Sequence, residues 1–195
     1  MQEFIKQLEK QFGKLINEFD EYDWRSISRN TKLSEDFIKD FQHKVKWDKI
    51  SIYQKLSEDF IREVQHRVNW FNISRYQKLS EEFIREFQNK VHWDVISHYQ
   101  KLSEEFIREF QDKVNWKEIS YHQRLSEDFI REYQDKVDKE GILFHQLLSV
   151  DFRQEFYNNW KAKTINPMGD NKQIKPKRKW YQFWKKLFNF SGFII

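Results

Sequence analysis

Cysteine is absent from this chain, which removes disulfide cross-links, thiolate nucleophiles and thiolate metal sites. Proline occurs only at Pro167 and Pro176, and glycine only at Gly13, Gly141, Gly169 and Gly192. Residues 1–166 therefore hold no helix breaker apart from Gly13 and Gly141, which favours an all-helical body. Long apolar runs are missing too: nothing approaches the ~18 consecutive apolar residues of a membrane-spanning helix. The opening stretch, MQEFIKQLEKQF, is charged and amphipathic, without the apolar core of a secretory signal. A glycine-rich phosphate loop, a nucleophile elbow and an HExxH pattern are all lacking. Excess positive charge is missing from most of the chain. Residues 161–195 carry nine Lys/Arg against Asp170 alone, whereas the first 160 residues hold 26 basic and 30 acidic side chains. A mildly acidic body is a poor electrostatic footprint for wrapping nucleic acid.

What the chain has in abundance is repetition. A 23-residue unit, clearest as LSEEFIREFQNKVHWDVISHYQK from Leu79 to Lys101, opens at Leu33, Leu56, Leu79, Leu102 and Leu125. Trp24, Trp47, Trp70, Trp93 and Trp116 keep the same step. A fixed period of this size means stacked supersecondary units, none able to bury its apolar face alone.

Within each unit Ser34, Ser57, Ser80, Ser103 and Ser126 fit helix N-caps, and the acidic pair that follows opposes the helix dipole. In the second unit Leu56, Phe60, Ile61, Val64 and Val68 form one stripe and predict a helix of about 12 residues. Glu58/Arg62 and Glu63/Arg67 read as i,i+4 pairs, repeated as Glu81/Arg85, Glu86/Lys90, Glu104/Arg108 and Glu109/Lys113. A second helix of about two turns, as from Trp70 to Tyr76, follows. The five Trp are expected to form an internal ladder. The fifth unit decays, with Lys139 in the Trp position and Asp138–Gly141 breaking the pattern, yet Leu148, Ser149, Phe152 and Phe156 keep phase. The expected fold is all-α: an α-solenoid of short αα repeats with capping helices and a C-terminal amphipathic helix. Residues 1–163 form the solenoid, with an N-terminal cap and partial repeat over 1–32, five repeats over 33–147 and a closing half-repeat over 148–163. A linker spans 164–176 and a basic aromatic tail 177–195.

The units Trp47–Ser51 (WDKIS), Trp70–Ser74 (WFNIS), Trp93–Ser97 (WDVIS) and Trp116–Ser120 (WKEIS), each followed by LSE-D/E-F-I, resemble the short helical repeats of large DNA viruses of protists. The resemblance covers residues 24–160. It implies interaction surfaces, no shared chemistry, and a virion or infection-stage component. The expected location is intracellular (cytoplasmic) or virion, not secreted.

Repetition argues against an enzyme, which needs unlike residues converging at one place. No catalytic residue, cofactor or metal is assigned. His43 and His66 share a unit position that Asn89, Asp112 and Asp135 also fill, as solvent positions do, while His98, His122 and His145 read as surface or packing residues. Recognition is expected where the unit varies: partner-binding is assigned to Phe71, Arg75, Val95, His98 and Tyr121. In the tail, Trp180, Phe183, Trp184, Leu187 and Phe188 share one helical face, with Lys185 and Lys186 opposite and Lys177, Arg178 and Lys179 preceding. The reading that follows is a non-catalytic scaffold whose partner is another protein, itself or heterologous, with no small-molecule substrate. A peripheral membrane adaptor held by the tail and nucleic-acid contact through the same tail are the alternatives.

Overall fold

A computed structural model describes residues 1–165, with side chains as far as Lys161. The described residues form thirteen α-helices and one 3-10 turn, with no strand among them. Helix α1 (Gln2–Phe12) ends on Gly13, whose φ of 69° is the left-handed conformation a glycine adopts at low cost. The 3-10 turn Ile16–Glu18 leads into α2 (Glu21–Asn30), capped by the Asp20 carboxylate on the Asp23 N–H. Five pairs follow: α3 (Glu35–Asp40) with α4 (Trp47–Tyr53), α5 (Glu58–Glu63) with α6 (Trp70–Tyr76), α7 (Glu81–Glu86) with α8 (Trp93–Tyr99), α9 (Glu104–Glu109) with α10 (Trp116–His122), and α11 (Glu127–Glu132) with α12 (Lys139–His145). Helices α2, α4, α6, α8, α10 and α12 pack successively on one another, so the array is an α-solenoid. Residues 1–148 form one compact unit. A second begins at Ser149, where the Ser149 hydroxyl accepts the Phe152 N–H and caps α13 (Val150–Ile165).

Each odd-numbered helix from α3 to α11 begins as its serine predicts, with the hydroxyl accepting the N–H three residues on at 3.1–3.2 Å. It then stops after six residues, half the expected length. The residue that ends it, Phe87 for example, takes φ −104° and ψ 26°, and the chain makes a separate turn closed by Val91 N–H on the Phe87 carbonyl. The break places the Phe87 ring 4.6 Å from Phe83 and 4.9 Å from Trp70 of the preceding unit. Helix α5 stops in the same way at Val64, with φ −102° and ψ 18°, so the break belongs to the unit's packing and does not need an aromatic ring at that position.

The break also reassigns the ion pairs. Arg85 stands 3.9 Å from Glu81 but bonds Glu109 of the next unit at 2.7 Å. Arg62 does the same with Glu58 at 4.0 Å and Glu86 at 2.7 Å. The expected Glu86/Lys90 and Glu109/Lys113 pairs do not form, because each lysine lies beyond the break. Lys90 and Lys113 bond the side-chain oxygens of Gln65 and Gln88 instead, over the rings of Trp70 and Trp93. Nor does Gly141 break its helix. It lies inside α12, where a Cβ would meet Ser120 and Tyr121 of α10 at 2.8 Å.

The deepest core is made by two rows. Ile27, Ile50, Ile73, Ile96, Ile119 and Ile142 are fully buried, as are Ile38, Ile61, Ile84, Ile107 and Ile130 with Phe37, Phe83, Phe106 and Phe129. Each such side chain removed from water is worth ~1.5–3 kcal/mol. The Trp ladder is shallower than expected. Trp24 is buried, but Trp47, Trp70, Trp93 and Trp116 are half-buried. The indole N–H explains the position, since it must reach a carbonyl five residues back: Trp93 to Gln88 at 3.0 Å, and likewise in the other three units. Lys139 keeps that bond where Trp is lost, its ammonium donating to the Gln134 carbonyl.

Polar side chains join the units. Gln100 is buried and donates to the carbonyls of Ser74 at 2.8 Å and Gln77 at 2.9 Å, while its oxygen accepts the Leu79 N–H at 3.1 Å. Gln54, Gln77, Gln123 and Gln146 repeat this clamp. Ser74, also buried, donates to the Trp70 carbonyl and accepts the His92 N–H at 3.0 Å. Glu81 grips the next unit's cap, accepting the Ser103 N–H at 2.6 Å and hydroxyl at 3.1 Å. Its role is therefore an inter-unit bond, more than a counter-charge to its own helix dipole.

Candidate partner-binding face

Helices α4, α6, α8 and α10 bury Ile and Ser on one side, and α12 buries Ile142 and Leu143 there, so their last-turn residues face outward in two parallel rows. One row is Ile52, Arg75, His98, Tyr121 and Phe144. The other is Tyr53, Tyr76, Tyr99, His122 and His145. Tyr53, Tyr76 and Tyr99 are each nearly half exposed, a large apolar area for ordinary solvent positions. The two rows interleave. The Arg75 guanidinium sits 5.1 Å over Tyr76 and 4.9 Å over Tyr99 of the next unit. Beyond it the His98 ring lies 4.1 Å from Tyr99 and 3.8 Å from His122, and Tyr121 lies 4.7 Å from His145. Arg29 over Tyr53 at 5.3 Å starts the series.

Beside the rings runs a charged row. The buried glutamines after α4, α6, α8 and α10 are each followed by an exposed basic residue, giving Lys55, Lys78, Lys101 and Arg124, with Lys32 at the same step before them and Leu147 after Gln146. Among the described residues none of these five makes an ion pair. Most acids of each unit lie on the odd-numbered helices, but Asp48 and Asp94 fall in the first turns of α4 and α8, and Glu118 on α10 bonds His98 within the first row.

Of the five residues assigned from the sequence, the structure gathers Arg75, His98 and Tyr121 into one row. Phe71 lies one turn before Arg75 on α6, 42% exposed and edge-on to His92 at 5.4 Å. Val95, one turn before Tyr99, is half-buried between the rows. Burial, with Asp138 and Glu140 nearby, raises the Tyr121 phenol above its ordinary pKa. Burial and the neighbouring His98 depress the His122 imidazole, with His145 adding to this and Glu118 opposing it. The exposed tyrosine row and the basic row beside it escaped the sequence reading. Both were signalled by residue types returning every 23 positions, over Tyr53, Tyr76 and Tyr99 for the rings and from Lys32 to Arg124 for the charges. The tail residues, Lys177 to Phe188, lie outside the described residues.

A shallow cleft between α3 and α5, lined by Glu35, Asp36, Lys39, Ser57 and Glu63, is acidic. Two of its carboxylates already serve the array: Glu35 holds Ser57 and Glu63 holds Lys39. Among the described residues no helix is long and apolar enough to cross a membrane. Comparison with family models, curated proteins and solved structures finds no match to the chain. Its class is that of the fold alone, a helical-repeat α-solenoid.

Proposed function

We propose that this chain is a non-catalytic helical-repeat scaffold whose last-turn face binds an extended acidic segment of another protein. The observation that carries the reading is the exposed tyrosine row flanked by five basic residues without ion pairs. Tyr and Arg supply large contact area at modest entropy cost and dominate protein interfaces. Unpaired lysines give such a face electrostatic complementarity to acidic partners. Part of the basic row is explained by the helix dipole, since each residue follows a helix C-terminus. The dipole offers no reason for the rings. Helix layers ~8–10 Å apart and an extended chain advancing ~3.3 Å per residue match one unit to about three partner residues. The same reading takes the chain as a structural or assembly component of a large DNA virus, on the resemblance of its W-x-x-I-S units alone.

The test is calorimetric titration with an (Glu-x-Leu)n peptide of about 15 residues. The wild-type chain is expected to bind it, and a Tyr76→Ala/Tyr99→Ala/Lys78→Glu/Lys101→Glu variant to bind at least ~10-fold more weakly. Equal binding by the two proteins would remove the face from consideration. Tighter binding of an oligouridylate than of the peptide would transfer the face to single-stranded nucleic acid.

A further inference from the structure

The equivalent positions of neighbouring units act as internal controls for one another, and one junction stands apart. Between α8 and α10 the His98 Nδ1 lies 2.7 Å from Glu118 Oε2, and His122 Nε2 lies 3.3 Å from the same oxygen. One donor atom from each of the three residues falls within 4.8 Å of the others. No other junction carries this set. One unit earlier the positions are Arg75, Val95 and Tyr99, one unit later Tyr121, Gly141 and His145, and two units earlier Ile52, Asn72 and Tyr76.

We propose that His98, Glu118 and His122 form a divalent-metal site of the zinc type, joining α8 to α10. The donors are those zinc prefers, two imidazoles and a carboxylate, leaving a fourth position for water. Two ligands ~2.1 Å from a tetrahedral ion stand ~3.4 Å apart, and the His122–Glu118 separation of 3.3 Å already matches. That pair is one helical turn apart on α10, so the backbone presets it. The His98–Glu118 hydrogen bond must open by ~0.7 Å to reach the same edge length, with the His98 proton moving to Nε2. Both side chains are about one-third exposed, which leaves them room to turn and the ion a route in. This inference goes beyond the partner-binding reading and holds whatever that face binds.

The experiment uses the full chain without an affinity tag, titrated with Co²⁺ as a visible probe and then with Zn²⁺. One Co²⁺ per chain is expected, with the intense absorption of a tetrahedral centre, displaced by Zn²⁺. Loss of outer-sphere partners alone weakens metal sites ~10–100-fold, so losing a ligand should cost at least ~10-fold. Suitable variants borrow residues that other units hold in the same position: His98→Arg, Glu118→Asn and His122→Tyr. Each should melt like the wild type in chelator and lose the Zn²⁺-induced rise in Tm. Absence of a tetrahedral Co²⁺ spectrum overturns the site. So does unchanged affinity in the triple variant, which would place binding on scattered histidines such as His43, His66 and His92.

Discussion

At Gln100 three hydrogen bonds converge on one buried amide: two reach carbonyls of the preceding unit, Ser74 and Gln77, and the third holds the Leu79 N–H that opens its own unit. Replacing it by Leu keeps the volume and strands two carbonyls and an N–H, each costing ~1–3 kcal/mol when buried without a partner. Gln100→Leu is therefore expected to lower unfolding stability by at least ~3 kcal/mol in urea titration. A loss below ~1 kcal/mol would mean that water replaces the clamp. Core and ladder residues should also rank in an order that the sequence alone would reverse. Phe106 is fully buried and Trp93 only half, so Phe106→Ala should cost ~3–5 kcal/mol and Trp93→Ala ~2. The glutamine was overlooked because a polar residue in a polar stretch reads as solvent-exposed. Only its recurrence at Gln54, Gln77, Gln100, Gln123 and Gln146 marks it as internal. The His98–Glu118–His122 grouping was hidden for another reason. Its members come from three different positions of the unit, whereas the sequence comparison set like positions side by side.

For the helical elements, periodicity made the number of units and their caps legible but left the helix length ambiguous. Leu56, Phe60, Ile61, Val64 and Val68 are all buried, as the stripe demanded. The same spacing suits one long helix or a six-residue helix followed by a separate turn. What separates them is a break at one position of every unit, φ −102° at Val64, −104° at Phe87 and −109° at Phe110, which has no local signature in the residue type. The α10–α12 contact offers a direct check on spacing. Gly141→Ala drives a Cβ into Ser120 and Tyr121 at 2.8 Å, and overpacking of this kind costs ~1–3 kcal/mol in a denaturation curve. The α8–α10 contact should respond to acid. The His122 pKa is lowered in the folded chain, so the folded state binds fewer protons than the unfolded one below about pH 6.5. Stability is fully present above that value and falls as pH drops through the depressed folded pKa. His122→Tyr should flatten that part of the Tm–pH profile, and an unchanged profile would place the titration elsewhere.

For the whole molecule, nearest-neighbour contacts make stability a sum over units and junctions. Removing residues 79–101 joins Lys78 to Leu102 in phase and should leave a helical, cooperatively folding chain. Its urea m-value should fall roughly in proportion to the surface lost. Removing residues 79–90 breaks the phase and should abolish cooperative unfolding. If both deletions behave alike in circular dichroism, the junctions are not equivalent. The equivalence traces to the glutamine clamp, whose partners are main-chain carbonyls and an N–H that every residue type supplies. A joint that reads only backbone does not distinguish one neighbour from another. Copying or losing a whole 23-codon stretch therefore preserves this joint without a compensating change. Length can drift from one generation to the next while the outward rows diversify independently, one unit at a time.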